Sequence, residues 1–245
     1  CDAVKFQKRH VFTVYSDEEL SKSRKSPWGD TQLDQKLGLE FTEPAYDEID
    51  RFCKELKIPW FASAWDCESQ KFLHKYDLPY NKIASAMLTH KDLCEMVAKE
   101  GKYTFISTGG STLEKIDYIE ELFRKHNTPY CLMHCVSVYP CEDSWCNIKM
   151  IAKLNDGTRA VGYSGHEMGL IPSILAVALG AVAIERHITL SRTFYGSDQA
   201  ASLEHAGLAR LVRDCRDVKK MLGTGEKMII PEEEKVMHKL RYWKE

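Results

Sequence analysis

The chain has 245 residues, 44% of them hydrophobic and 29% charged, with a formal net charge of −2. That is enough apolar material for one large core, and too even a charge balance to make a basic field for nucleic acid. No apolar run approaches the roughly 20 residues needed to span a bilayer and no basic-then-apolar leader opens the chain, so a soluble protein without membrane partners is expected.

Nine cysteines, an odd number, are scattered through apolar patterns such as YCLMHCVS, which predicts reduced thiols in a cytoplasmic setting rather than a disulfide framework. Cys141 and Cys146 have no second pair nearby and are assigned no chemistry.

In chain order, residues 3–7 read as a strand, followed by a long polar segment that contains Ser26-Pro27-Trp28-Gly29. Helices over 44–56, 68–75, 91–100, 112–126, 148–154, 170–179 and 203–222 then alternate with strands over 60–63, 80–85, 103–108, 130–136, 159–163 and 181–184. Strict alternation means a parallel sheet, and this many units point to a (β/α)₈ TIM-type barrel rather than an open doubly wound sheet. No G-x-G-x-x-G follows a strand, so a dinucleotide fold gains no support.

Only seven strands can be read, one fewer than a closed barrel needs. The expectation is therefore a single TIM-barrel domain over 1–245 that lacks the first β/α unit. Two parallel edges, bearing Lys5 and Gln7 on one side and Glu185 and His187 on the other, would then face each other across a gap in the middle of the site. Such a chain alone is expected to be poorly soluble or inactive, and an upstream segment of roughly 30–40 residues to restore it.

The stretch 160–202 organises the rest. A strand ends at Ser164-Gly165-His166, a buried Ala-rich helix follows and is closed by Gly180, and a second strand delivers Glu185 and His187. Parallel pairing puts both strand ends on one rim, so His166 and His187 converge as a divalent-metal site with open positions. An isolated histidine more often caps a helix or packs singly; convergence of two is what favours the metal.

The same carboxyl rim collects Lys5, Gln7, Ser63, Lys82, Ser85, Ser107, Ser137, Tyr139, Ser164 and Glu185. Any one hydroxyl at a strand end could simply cap the next helix. Lys5 and Lys82 resist that reading, because a lysine within an apolar strand needs an anionic partner. Cations and hydroxyls beside two histidines suit a phosphorylated anion next to a metal. Glu185 could orient a water or a ligand, although an acid next to Arg186 is more often half of a structural ion pair.

The motifs KFQK, KIAS, STGG, HCVSVYP, GYSGHE, VALGA, ERHITL and GSDQAASLE, in this order, resemble the N-acetylneuraminate (sialic acid) synthase family over nearly the whole chain. The resemblance implies condensation of phosphoenolpyruvate with N-acetylmannosamine or a related aldose, with Mn²⁺ or Mg²⁺ as cofactor and a homodimer among the assemblies it allows. Carried over by motif, His166 and His187 would be metal ligands. Lys5, Gln7, Lys82, Ser63, Ser85, Ser107 and Ser164 would surround phosphoenolpyruvate. Tyr139 and Asp198 would face the sugar, and Ser137 stands where some members have Asn.

Two departures matter. The first-strand I-A-E-I-G-x-N-H-type motif with its Glu is absent, and Met87 occupies a position that is usually acidic. Many members also continue into an antifreeze-like domain. With both carboxylates gone, a non-catalytic sugar-phosphate-binding barrel of the same family is the alternative reading. A metal-dependent hydrolase would gather three or more protein ligands and is less well matched.

Overall fold

The computed structural model describes residues 1–243. Its strands are β1 (Val4–Lys8), β2 (Ser23–Ser26), β3 (Gly29–Thr31), β4 (Trp60–Ala64), β5 (Asn81–Ile83), β6 (Thr104–Ser107), β7 (Tyr130–Cys135), β8 (Ala160–Gly165) and β9 (Ala183–Arg186). Seven of them form one sheet in the order β1-β4-β5-β6-β7-β8-β9, parallel at every pairing, while β2 and β3 make a separate antiparallel hairpin.

The sheet curls as a TIM-type barrel does. Its first and last strands share no backbone pairing, yet Lys5 on β1 reaches Glu185 on β9 at 3.5 Å. The inner residues of β4 to β8 are buried because helices cover the outer face.

One outer helix shows how the cover positions the site. Glu43–Leu56 opens with Pro44 in its first turn, where a missing N–H costs nothing, and ends on Lys57 with a left-handed φ of 55°. It buries Tyr46 and Cys53, one above the other on the face against the sheet. Tyr46 stacks among Trp60, Phe72 and Tyr76, and its hydroxyl donates to the Gln7 carbonyl at 2.6 Å. The outer core thereby fixes the end of β1. Removing a ring buried this deeply costs about 3–5 kcal/mol.

Several boundaries differ from the sequence expectation. The strand expected over 80–85 ends at Ile83, because Ser85–Met87 turns as a 3₁₀ helix, with the Ser85 hydroxyl held by the Gly109 N–H (3.1 Å) and against the Cys135 sulfur (3.0 Å). The polar segment before residue 44 is structured. Pro27-Trp28-Gly29 turns the β2–β3 hairpin, and a reciprocal Thr31–Asp34 cap starts the helix Gln32–Leu39. The last long helix begins at His205 rather than 203, since the Leu203 N–H is spent on the His187 carbonyl at 2.8 Å. The helix Pro231–Leu240, not expected from the sequence, buries none of its residues.

Candidate active site

The carboxyl ends of the strands enclose a cavity of about 410 Å³. Lys5, Gln7, Ser63, Lys82, Ser85, Ser107, Ser137, Tyr139, Ser164, His166, Glu185 and His187 all line it. Asp198 does not; it sits behind His187, its Oδ2 3.4 Å from Nδ1.

Glu185 lies at the centre of the charge arrangement. It contacts Lys5 at 3.5 Å and Lys82 at 3.9 Å, and accepts a hydrogen bond from the Ser164 hydroxyl at 2.9 Å. Burial would raise this carboxyl, but Lys5, Lys82 and Ser164 outweigh it and hold it down to about 2. Lys82 is enclosed, donating to the Ile83 carbonyl at 3.1 Å and to the Ser107 hydroxyl. Burial pulls its ammonium down to about 8 despite the attraction of Glu185, with Lys5 adding repulsion.

Sequence adjacency had suggested Glu185 and Arg186 as a structural ion pair. Strand alternation separates them: Glu185 points into the cavity and Arg186 points out to Glu167 at 2.9 Å. Glu185 is therefore free for the lysines.

His166 donates from Nδ1 to the Val136 carbonyl at 2.7 Å, which leaves Nε2 free. Burial lowers its pKa to about 4, so the ring is neutral at physiological pH and able to ligate. The His187 ring lies 5.4 Å from it, centroid to centroid, and Tyr139 packs on both, at 4.2 and 5.5 Å. Among the described residues no group of three His, Cys, Asp or Glu converges. The donor set is thus two imidazoles with the other positions open to water or substrate, which fits an exchangeable divalent cation better than a closed structural zinc.

Some lining residues carried no signal in the sequence. Lys115, Thr89 and Trp65 reach the cavity from loops and a helix start, places where strand-end counting does not look. Among the described residues, the buried indole N–H of Trp65 and the buried hydroxyl of Ser63 have no hydrogen-bond partner. Gly109 must be glycine: a Cβ there would stand 2.2 Å from the Ser137 hydroxyl and 2.9 Å from that of Ser85. Met87 packs against the hydrophobic core, and its neighbour Ala86 lines the cavity instead.

Cys141 and Cys146 are buried, sulfur to sulfur at 4.0 Å, and all nine cysteines are free thiols. No helix among the described residues is long and apolar enough to cross a membrane.

The family model described as the NeuB family matches residues 1–227. The chain belongs to the NeuB family. It is 35% identical to human N-acetylneuraminate-9-phosphate synthase over 234 residues, which cover 94% of this chain and 65% of the human protein. N,N'-diacetyllegionaminic acid synthase of Campylobacter jejuni is 31% identical over 251 residues, covering 98% of this chain and 74% of that protein. Among solved structures, the sialic acid synthetase of Leptospira borgpetersenii superposes with a TM-score of 0.84 at 27% identity, covering 97% of this chain and 80% of that one. This NeuB-family chain thus spans less than two thirds of the human relative's length.

Proposed function

We propose that this NeuB-family chain carries the catalytic cavity of a nonulosonic acid synthase, which condenses phosphoenolpyruvate with N-acetylmannosamine or a related aldose and releases phosphate. The observation that carries the reading is the Lys5–Glu185–Lys82 cluster beside two free imidazole edges. Lys5 and Lys82 would hold the carboxylate and phosphate of phosphoenolpyruvate, with the unpartnered Ser63 hydroxyl and that of Ser107 as further donors. His166 and His187 would hold Mn²⁺ or Mg²⁺, which when bound supplies Lewis-acid polarisation of the aldehyde oxygen. Tyr139, packed on both imidazoles, would face the sugar, and Asp198 would orient His187.

The enol carbon then bonds to the aldehyde carbon, whose oxygen takes a proton. Water adds to the cationic carbon left behind, losing its proton to solvent. Collapse of that tetrahedral centre breaks the carbon–oxygen bond, expelling phosphate and leaving the keto acid. Glu185, ionised well below neutrality, is suited to orienting the water.

Phosphate release from phosphoenolpyruvate, followed with each component withheld in turn, tests the reading. Release that needs both divalent cation and aldose is expected of the synthase. Sugar or phosphoenolpyruvate binding without release would instead favour the non-catalytic barrel.

A further inference from the structure

We propose that Lys82 is a covalent binding site as well as an ionic one, its amine forming a reversible imine with the carbonyl carbon of a 2-keto acid whose carboxylate lies on Lys5. The proposal deepens the condensation reading and rests on it for the place of that carboxylate. A keto acid released by the condensation keeps the carboxylate and the adjacent carbon of phosphoenolpyruvate, now as a ketone.

The Lys82 nitrogen has three positions around it besides its own carbon. Two are spent, on the Ile83 carbonyl at 3.1 Å and on the Ser107 hydroxyl. Among the described residues the third makes no hydrogen bond, since Glu185 Oε1 stands 3.9 Å away. When the ammonium loses a proton, the lone pair takes this third position, towards the cavity that Lys82 and Glu185 both line.

The surroundings favour the free amine. Lys82 is enclosed, and Lys5 approaches the same carboxylate oxygen at 3.5 Å, so a second cation stands close by. Burial, helped by the repulsion of Lys5, holds the ammonium at about 8 against the pull of Glu185, and part of the population is then neutral near physiological pH.

A donor for the keto oxygen stands next to it. Ser63 on β4 is the register partner of Lys82 on β5 and lines the same cavity. Its hydroxyl is fully buried and, among the described residues, without a hydrogen-bond partner. In the addition the nitrogen lone pair forms the new bond to carbon, and a proton passes from nitrogen to the oxygen beside Ser63. The hydroxyl then leaves as water with the second proton of the amine. Protonated, the imine returns a positive charge to the place facing Glu185, and no oxidant or reductant is consumed.

Borohydride reduction of the full chain in the presence of pyruvate, at a pH above about 8 and without divalent cation, converts an imine into a stable secondary amine that peptide mass mapping locates. One adduct, on Lys82, is expected. Excess phosphoenolpyruvate should prevent it, and Lys82→Arg should lack it. Protection is read on the unaltered chain, so the result does not hang on the folding of a variant. No adduct, or adducts spread over exposed lysines such as Lys99 and Lys220, overturns the proposal. Such a result alongside intact cation- and aldose-dependent phosphate release would remove the imine alone. An adduct on Lys82 that phosphoenolpyruvate does not block would uphold the imine while removing Lys82 from the phosphoenolpyruvate site.

Discussion

Arg186 and Glu167 form an enclosed ion pair, Nη1 to Oε1 at 2.9 Å with side chains 1% and 0% exposed, and each is the chain neighbour of one of the two cavity histidines. Glu167 also accepts from Tyr163 at 2.8 Å and from Ser173 at 3.2 Å, while Arg186 donates to the carbonyls of Glu167 and, at 2.8 Å, Gly169. The pair ties the ends of β8 and β9 together just behind His166 and His187.

Removing one partner strands a buried charge, which costs about 3–5 kcal/mol. Glu167→Ala should therefore lower stability by about that amount in denaturant unfolding. Arg186→Lys, which keeps the charge but cannot span the same acceptors, should cost less and still weaken divalent-cation binding. Cation affinity equal to wild type in Arg186→Lys would show that the pair does not set the spacing of the histidines.

Replacing His166 or His187 by Ala should abolish cation-dependent phosphate release. The fold should survive, because both rings lie on the cavity rim and contribute little to the core. Titration with Mn²⁺ followed by electron paramagnetic resonance checks this directly. Undiminished ion uptake by the double variant would remove the histidines from the metal site.

Lys82→Ala should weaken phosphoenolpyruvate binding by about 2–3 kcal/mol, the scale of a lost charge-assisted contact. Burial lowers the ammonium of Lys82 to about 8, so its charge is present below that pH and lost above it. Affinity for phosphoenolpyruvate should accordingly fall as pH rises through about 8, and the step should be missing in Lys82→Arg. A pH-independent affinity over roughly 1 unit either side of that transition would contradict the assignment.

Gly109→Ala places a methyl against the hydroxyls of Ser137 and Ser85. The expected result is a raised KM for phosphoenolpyruvate together with a lowered melting temperature, because the methyl also stands 2.8 Å from the sulfur of the buried Cys135. An unchanged KM would mean that neither hydroxyl contributes to substrate binding.

Alternation of apolar strands and amphipathic helices was enough to read the parallel barrel and the rim, because periodicity reports which face of each element is buried, and parallel βα units put every strand end on one side. The motif order carried the family. What the sequence could not decide was pairing across the fold. Glu185 and Arg186 are adjacent in the chain, yet they face opposite ways, and their partners Lys5 and Glu167 come from β1 and the loop after β8. The early polar segment is a further case: its hairpin and the short helix behind it are shaped by local caps and by contact with Tyr195, 171 residues away from Arg24. Contacts of that sequence separation leave no periodic trace. Only the curl of the sheet, which brings β1 and β9 within a salt bridge of each other, puts the two lysines, the carboxylate and the two imidazoles around one cavity.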